Sequence, residues 1–194
     1  GGARSLRAGC VVAGGFRMRG LVTGGAGFVG PHVVDRLRAC GHDPRIFDLV
    51  ESPYAFHGDV ENVVGDLLDP VSVRKAIQGC EAVLHRAAVA DVNYVVARPT
   101  SPEPVNVRGT QLLWEAAREA QVGRFVYAST VWVYGDAARS GEPLVEDSPL
   151  TLPTHLYTAT KLAGEMYCRS YEKLYGLPHT VLRFGIPYGP RSRE

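Results

Sequence analysis

The sequence predicts an α/β fold in which helices cover both faces of a parallel β-sheet, the arrangement called doubly wound. Two observations lead to this prediction. Short apolar runs alternate with amphipathic segments along most of the 194 residues, which is typical of parallel strands joined by crossover helices. Three glycines, spaced three residues apart, also join the first apolar run to the first amphipathic one. The chain is long enough for one domain with a buried core.

The strands are predicted from short apolar runs. The first is RGLVT, at 19–23, and the second is PRIFD, at 44–48. Four more are predicted at 62–66, 81–88, 124–130 and 179–185. Because helical segments separate these runs, we expect the strands to be parallel and the sheet to be covered on both faces.

The helices are predicted from apolar residues at helical spacing and from capping residues. The segment 28–40 carries valines and a leucine at helical spacing and ends at Gly41. Pro31 is compatible with this helix because it falls in the first turn. The segment 69–80 begins with an aspartate cap followed by a proline. Longer amphipathic helices are predicted at 104–121 and 155–176.

The composition is that of an ordinary globular protein and excludes several classes of partner. Hydrophobic residues make up 45% of the chain and charged residues 21%, and the formal net charge is +1. With so little net charge, we expect neither nucleic acid nor an acidic membrane as a partner. No apolar run of this sequence approaches the roughly 20 residues that cross a bilayer.

The four cysteines lie far apart, with no CxxC pair and no histidine cluster beside them. We therefore expect no metal site, and free thiols in a reducing cytosol. Residues 1–17 are rich in Gly, Ala and Arg and show no periodic pattern. We expect them to be a disordered extension before a folded domain at 18–194, with Met18 as the natural start.

The glycine-rich stretch TGGAGFVG, residues 23–30, follows the first strand and opens the first helix. This is the context of a dinucleotide-binding turn in a Rossmann fold. Gly24 allows a sharp turn, Gly27 lets the backbone approach a pyrophosphate, and Gly30 lets the helix pack closely. The N–H groups and the positive dipole end of the helix would face the phosphates. On this motif alone, an ordinary glycine-rich turn is the alternative.

Acidic residues at the ends of the next two strands are a second sign of a nucleotide. Asp48 ends the second strand, where a carboxylate can accept hydrogen bonds from both ribose hydroxyls of an adenosine. It would also repel a 2′-phosphate, and no Arg or Lys follows in DLVESPY, so NAD is favoured over NADP. Asp66 follows the third strand, beside the expected adenine. An ordinary turn or cap position is the alternative for both carboxylates.

A tyrosine, a lysine and a threonine indicate acid–base chemistry on an alcohol. Tyr157 and Lys161, in YTATK, share one helix face. A phenol ionises at about pH 10, but a neighbouring ammonium favours the phenolate, which can take a proton from an alcohol while hydride leaves for the cofactor. Thr130 ends the fifth strand, at the sheet edge where ligands bind, and could orient that alcohol. Each feature alone also fits a purely structural role.

Together these motifs resemble those of the extended short-chain dehydrogenases/reductases, specifically the NAD-dependent epimerase/dehydratase branch of nucleotide-sugar enzymes that includes UDP-glucose 4-epimerases. The resemblance covers residues 19–190. It rests, in chain order, on TGGAGFVG (23–30), Asp48, GDLLD (65–69), HRAA (85–88), NVRGTQLLWEAA (106–117), STVWVYG (129–135), YTATKLAGE (157–165) and LRFGIPYGP (182–190).

The resemblance implies a cofactor role for each matching position. Asp48 would hold the adenosine ribose, and Asp66 with Leu67 the adenine. Ala87 and Ala88 would line the cofactor on the fourth strand. The pyrophosphate would be held by Gly24, Gly27, Phe28, Val29 and Gly30.

The resemblance also implies the catalytic residues. Thr130 matches the catalytic Ser/Thr of the family, and Tyr157 matches the acid/base. Lys161 would bind the nicotinamide ribose and lower the pKa of Tyr157. Asn106 matches an asparagine that helps to organise the site.

Three departures from the family pattern narrow the expected chemistry. Sugar 4,6-dehydratases carry an Asp-Glu pair directly after the threonine, whereas this chain has Val131 and Trp132, which cannot transfer protons. The usual HLAA is HRAA here, so Arg86 is expected to point away from the cofactor or to contact another group. Ile186 stands where the family often has an asparagine that reaches the substrate, which argues against a standard nucleotide-sugar contact.

Family members typically continue into a smaller C-terminal domain that grips the substrate. We therefore expect this chain to be the cofactor domain, with the substrate domain missing beyond Glu194. The expected reaction is NAD-dependent epimerisation of a nucleotide sugar through transient oxidation at C4. The alternatives are a dehydrogenase or reductase of another secondary alcohol and a non-catalytic dinucleotide-binding module.

Family members often dimerise by pairing their long helices into a four-helix bundle. The corresponding segments of this chain are 104–121 and 155–175. Their apolar residues permit such a homodimer, although buried core positions would look similar in sequence. The residues concerned are Leu112, Leu113, Met166 and Leu174.

Overall fold

A computed structural model of the chain describes residues 17–54, 60–139 and 143–192, of which 136–139 are described by backbone alone. Six strands in these ranges form one parallel sheet: β1 (Arg19–Thr23), β2 (Asp43–Asp48), β3 (Glu61–Val64), β4 (Ala82–His85), β5 (Arg124–Thr130) and β6 (His179–Phe184). Their order is β3-β2-β1-β4-β5-β6. This is the strand order of the doubly wound Rossmann fold, so the predicted fold class is confirmed.

Five α-helices accompany the sheet in the described ranges: α1 (Gly30–Ala39), α2 (Pro70–Ile77), α3 (Val92–Ala97), α4 (Thr110–Glu119) and α5 (Leu156–Tyr175). A π-helical segment, Pro104–Gly109, leads into α4, and a 3₁₀ segment, Val131–Arg139, follows β5. The four predicted helices are present. The sequence does not predict α3, because six residues are too few to show a helical period.

Local chemistry explains where helix α2 begins and where helix α5 ends. Asp69 caps α2, since its carboxylate oxygens accept hydrogen bonds from the backbone N–H groups of Val71 (3.0 Å) and Ser72 (3.2 Å). Helix α5 ends at Gly176, whose φ of +68° places it in the left-handed region that favours glycine. Both ends agree with the sequence prediction.

The core lies on both faces of the sheet, because neighbouring residues of β1 point in opposite directions. Leu21 packs in a large cluster with residues of α2, α4 and α5. In that cluster, the rings of Trp114 and Phe125 stack with their centres 3.8 Å apart. Val22 faces the other side and packs with Val34 of α1. Helices therefore cover both faces, as the sequence predicts.

The cysteine prediction is only partly correct. Cys80 and Cys168 are buried free thiols, but Cys40 is disulfide-bonded, so the expectation of a free thiol is wrong there. Sequence spacing carries no information on which cysteines approach one another in space. Cys10 and the expected extension, except Arg17, lie outside the described residues. The cytosolic location stays a prediction.

Two further properties concern the described part of the chain. No helix there combines the length and the apolar character needed to cross a bilayer. No group of three or more His, Cys, Asp or Glu side chains is arranged there to hold a metal ion.

Candidate cofactor cleft and active site

A cleft of about 610 Å³ opens at the carboxyl edge of the sheet, where ligands of doubly wound sheets bind. Each strand contributes its last residue, or the residue after it, to the lining: Gly24, Asp48, Gly65, Arg86, Thr130 and Phe184. The cleft brings together all but two of the predicted site residues. The exceptions are Gly30 and Asn106, which lie behind the lining.

The glycine-rich loop has the tight geometry that its spacing predicts. Gly24 has a φ of +68°, and a Cβ on it would lie 2.8 Å from the backbone nitrogen of Ala87. A Cβ on Gly30 would lie 2.6 Å from the Cα of Gly25, so α1 can approach the loop only because residue 30 is glycine. A Cβ on Gly27 would meet only the Gly24 carbonyl oxygen, at 3.4 Å. Gly27 therefore leaves open space on the side of the cleft.

The start of α1 is arranged to receive an anion. Among the residues that the structure describes, no side chain caps its first turn, which also contains no acidic residue. Phe28 and Val29, just before the helix, line the cleft. The N–H groups and positive dipole end of an uncapped helix attract phosphate. This end of the cleft therefore fits the pyrophosphate of a dinucleotide.

Asp48 lines the same cleft and also supports the loop. Its Oδ2 accepts a hydrogen bond from the backbone nitrogen of Ala26 (2.9 Å), and its Oδ1 accepts one from that of Leu49 (2.8 Å). The loop contact joins residues that are far apart in sequence, so the sequence did not predict it. Each carboxylate oxygen keeps a second lone pair for a ligand.

Asp66 and Leu67 both line the cleft after β3. Leu67 is buried, whereas Asp66 is exposed and its Oδ1 accepts a hydrogen bond from the backbone nitrogen of Leu68 (2.9 Å). This bond places Asp66 in a turn, which is the alternative that the sequence leaves open for it. Because Asp69 takes the role of helix cap, Asp66 keeps a carboxylate oxygen that faces solvent.

A buried hydrogen-bond chain, which the sequence did not predict, fixes the end of β4. The hydroxyl oxygen of Thr23 accepts from the backbone nitrogens of Arg86 (3.0 Å) and Ala87 (3.2 Å). With both lone pairs used, its O–H donates to Nδ1 of His85 (2.7 Å). Nε2 of His85 then carries the hydrogen and donates to Oγ1 of Thr110 (2.8 Å). The chain therefore needs a neutral imidazole.

We expect this histidine to make the fold sensitive to acid. Burial, together with the charge of Lys161, lowers the pKa of His85 from 6.5 to about 3. Between these two values the unfolded chain binds a proton that the folded chain does not, so stability falls as the pH falls. The free energy of unfolding should drop by about 3 kcal/mol from His85 between pH 6.5 and pH 4. Urea unfolding of the wild type and of His85→Gln at both pH values measures this loss; equal losses in both proteins would contradict it.

The predicted catalytic residues belong to the same cleft. Thr130, Tyr157 and Lys161 all line it. Nζ of Lys161 donates a hydrogen bond to the carbonyl oxygen of Ala128 (2.9 Å) and lies 5.9 Å from the ring centre of Tyr157. The ring of Trp132 meets that of Tyr157 edge to face, with centres 6.3 Å apart. The arrangement places a phenol, a hydroxyl and an ammonium around one space.

Burial shifts the ionisation of this group. It raises the pKa of the Tyr157 phenol above its usual 10, and the nearby Arg86 guanidinium opposes that change. It lowers the pKa of the Lys161 ammonium to about 7, again with a contribution from Arg86.

Asn106 lies behind the cleft rather than in its lining. Its side-chain oxygen accepts from the backbone nitrogen of Val89 (2.8 Å), and its amide nitrogen donates to the Val89 carbonyl (3.0 Å) and to Oγ1 of Thr160 (3.0 Å). Thr160 in turn donates to the carbonyl oxygen of Tyr157 (2.8 Å). Asn106 thus ties the segment after β4 to the first turn of α5.

Arg86 lines the cleft and contacts another group, which is one of the two outcomes expected from sequence. Its guanidinium carbon lies 5.4 Å from the ring centre of Phe184. Its Nε and Nη1 are buried and have no hydrogen-bond partner within the described part of the chain. Ile186, which replaces the expected asparagine, is 81% exposed and also borders the cleft.

A buried ion pair behind the catalytic residues was also missed. Glu165 is 1% exposed, and its carboxylate accepts from Oγ of Ser129 (2.5 Å) and from Nε (3.1 Å) and Nη2 (2.8 Å) of Arg183. Nη1 of Arg183 donates to the hydroxyl of Tyr134 (2.6 Å). One sequence signal was available, since Glu165 lies one helical turn after Lys161 and shares its face.

A family model described as the NAD-dependent epimerase/dehydratase family matches residues 20–194. The chain belongs to this family. The resemblance stated from sequence is therefore confirmed, and the family is one of NAD-dependent enzymes. The uncapped helix start, the open face of Gly27 and the carboxylate of Asp48 fit that cofactor.

Relatives within the family include both epimerases and dehydratases. A putative UDP-glucose 4-epimerase of Methanocaldococcus jannaschii is 34% identical over 176 residues, which are 89% of this chain and 57% of the relative. The structure of a UDP-N-acetylglucosamine 4-epimerase from Methanobrevibacter ruminantium is 30% identical, with a TM-score of 0.82 over 91% of this chain and 57% of that one. The structure of DesIV, a dTDP-glucose 4,6-dehydratase from Streptomyces venezuelae with NAD bound, is 33% identical, with a TM-score of 0.81 over 90% and 57%. The chain thus spans little more than half the length of these relatives.

Proposed function

We propose that this chain is the cofactor-binding part of an NAD-dependent nucleotide-sugar 4-epimerase. The observation that carries the proposal is that Thr130, Tyr157 and Lys161 line the same cleft of about 610 Å³ as the glycine-rich loop and Asp48. Epimerases and dehydratases of nucleotide sugars are among the relatives. The reaction and the sugar are proposals, because the chain spans 57% of the length of those relatives.

NAD would supply a hydride acceptor that later returns the hydride, and the residues of the cleft would hold it along its length. Asp48 would accept hydrogen bonds from the adenosine ribose, and Asp66 and Leu67 would border the adenine. Ala87, whose backbone nitrogen donates to the Thr23 hydroxyl, and Ala88 would line the middle of the cofactor. The pyrophosphate would lie on the start of α1, against Gly24, Gly27, Phe28 and Val29, with Gly30 packed behind them.

Tyr157 would carry out the proton transfers. As a phenolate, its Oη would take the proton of the sugar C4 hydroxyl, whose carbon becomes a ketone on loss of hydride to the acceptor. Thr130 would orient the hydroxyl, and Lys161 would hold the nicotinamide ribose. Once the keto sugar has turned its other face and regained hydride at C4, Tyr157 would give the proton back to the oxygen. No proton or electron is lost over the cycle.

The side chains after Thr130 favour epimerisation over 4,6-dehydration. Removing a proton from C5 and expelling the C6 hydroxyl require an acid and a base next to the oxidised sugar. Val131 and Trp132 occupy these positions, and neither ionises in the relevant range. Trp132 instead offers an aromatic surface at the cleft, 41% exposed.

A dehydrogenase of another secondary alcohol is the second candidate, and Ile186 favours it. An exposed isoleucine replaces a polar side chain that would reach a nucleotide sugar, so this border of the cleft is apolar. A non-catalytic dinucleotide-binding module is disfavoured, since Thr130, Tyr157 and Lys161 are all present and meet in the cleft.

The test is to supply this chain, and any longer product of the natural coding sequence, with NAD and a panel of UDP-, GDP- and dTDP-sugars. NMR of the sugar protons follows epimer formation, and absorbance follows NADH. We expect one sugar to form its C4 epimer without net NADH. If NADH accumulates as the substrate is consumed, the enzyme is a dehydrogenase and not an epimerase. A prior NAD titration separates loss of cofactor binding from loss of chemistry.

We also propose that the full enzyme is a homodimer through α4 and α5. Met166 and Leu174, on α5, are 42% and 69% exposed, which leaves apolar side chains on the outer face of that helix. Leu113 belongs to the chain's own core and does not contribute. The molar mass in solution tests this association.

A further inference from the structure

Trp132 directly contacts two of the residues to which the proposed function gives a role on the sugar hydroxyl. Its backbone nitrogen donates a hydrogen bond to Oγ1 of Thr130 (3.2 Å). Its indole meets the ring of Tyr157 edge to face, with ring centres 6.3 Å apart and planes at 89°. Because the backbone of Trp132 is bonded to one of these groups and its ring packs on the other, the indole lies beside the place where an alcohol would react.

A histidine holds the same indole from a second direction. The rings of Trp132 and His155 also meet edge to face, with centres 6.0 Å apart and planes at 80°. His155 is itself fixed at the start of α5, since its Nδ1 accepts a hydrogen bond from the backbone nitrogen of Tyr157 (3.2 Å). Edge-to-face contacts are favourable beyond the area that they bury, so two of them give the indole a preferred orientation.

The indole nevertheless remains open to the cleft. Trp132 lines it and keeps 41% of its surface exposed. Trp114, the second tryptophan of the chain, is instead fully buried and stacks on Phe125 in the core. Ligand pockets are typically lined by aromatic side chains around a few polar groups that fix the ligand's orientation. Thr130 and Tyr157 are such polar groups here, and Trp132 is the aromatic surface between them.

The chemistry of a hexose ring matches this surface. Its hydroxyl groups project mainly from the rim, whereas each face carries C–H bonds, whose partial positive charge is attracted to the negative face of an aromatic ring. A contact of this kind has no donor and acceptor to align. An epimerase must hold its sugar first with one face and then with the other toward the hydride acceptor. Hydrogen bonds set for one orientation break when the ring turns, but an aromatic surface serves both.

We propose that Trp132 is a sugar-binding residue that stacks on either face of the hexose ring and contributes equally to the binding of both C4 epimers. This inference rests on the proposed function, because an epimerase needs both faces. Where the 4,6-dehydratases carry an ionisable side chain for proton transfer, this chain would use an aromatic one to hold the sugar while its ring turns.

The experiment measures the binding of paired C4 epimers to the full 194-residue chain saturated with NAD. The pairs are UDP-glucose with UDP-galactose and the corresponding N-acetyl sugars. The chain carries Tyr157→Phe, which keeps the aromatic ring but prevents the epimers from interconverting. Calorimetry gives each Kd for Trp132 and for the variants Trp132→Phe, Trp132→Leu and Trp132→Ala. Circular dichroism confirms folding, and Trp132→Leu carries the comparison if the alanine variant does not fold.

Tryptophan emission shows whether the sugar binds against the indole. We expect the sugar to change the emission of the chain that contains Trp132. It should not change the emission of Trp132→Phe, whose remaining tryptophan, Trp114, is 0% exposed. Trp132→Leu and Trp132→Ala should each weaken both epimers by the same factor, about tenfold, which is the scale of one aromatic contact. Trp132→Phe should keep most of the affinity, since it retains an aromatic face.

Three results would overturn the inference: a loss of affinity confined to one epimer, wild-type affinity in Trp132→Leu, or no change of emission with any sugar pair. A parallel fall in NAD affinity would also overturn it, because Trp132 would then act only by supporting the ring at position 157. Failure of the proposed function is distinguishable. It is judged by the sugar products of the chain with Tyr157 intact, whereas these titrations require no turnover.

Discussion

Replacing Tyr157 with phenylalanine is expected to lower turnover by about 10²–10⁴-fold while leaving NAD affinity unchanged. The substitution removes only the hydroxyl that takes and returns the proton, and general acid–base catalysis contributes on this scale. The ring remains, so its edge-to-face contact with Trp132 is kept. Turnover is measured as C4 epimer formed per unit time by NMR, and NAD affinity by calorimetric titration of the same preparation.

The matched control is Tyr175→Phe, which removes a hydroxyl from the last turn of the same helix. Tyr175 is 55% exposed and does not line the cleft, so turnover should stay at the wild-type value. If Tyr157→Phe retained full turnover, the acid/base assignment would be wrong. If it lost NAD affinity together with turnover, Tyr157 would be a binding residue rather than a proton carrier.

The cofactor half of the cleft could be predicted from sequence because its determinants are local. The turn after β1 needs three glycines within seven residues. Their spacing alone indicates where the chain turns, where the backbone faces a ligand and where α1 packs on the loop. Asp48 was found for the same reason, since the end of a strand is visible as the end of an apolar run. What the sequence could not show is that Asp48 also accepts a hydrogen bond from Ala26, which is a contact between two distant segments.

The missed features are long-range or too short to show a pattern. Arg86 was recognised as a departure, but its position over Phe184 depends on how β4 and β6 lie on either side of β5. His85 belongs to a family motif in sequence, and its bonds to Thr23 and Thr110 follow from pairing β1 with β4 and packing the first residue of α4 against them. Helix α3 has six residues and therefore no visible period.

Replacing Arg183 with leucine is expected to destabilise the fold by about 3–5 kcal/mol, the cost of leaving a buried charge without its partner. Glu165 is 1% exposed and would lose both of its bonds to the guanidinium. The ion pair also holds β5, β6 and α5 together, so its loss should change the position of Thr130, on β5, relative to Lys161, on α5. Urea unfolding gives the change in free energy, and NAD titration reports the effect on the cleft.

The control is Arg118→Leu, which removes the guanidinium from a solvent-accessible pair. The side chains of Arg118 and Glu115 are 39% and 42% exposed, so this change should cost less than about 1 kcal/mol. A third variant, Arg183→Leu with Glu165→Leu, removes both buried charges and should be more stable than Arg183→Leu alone. If Arg183→Leu lowered the free energy of unfolding no more than Arg118→Leu, Glu165 would not depend on Arg183 as its charge partner. The ion pair could then not be what aligns β5 with α5. The double variant separates the two effects of losing Arg183. It contains no unpaired buried charge, but the alignment of β5, β6 and α5 is still lost, and NAD affinity would report that loss.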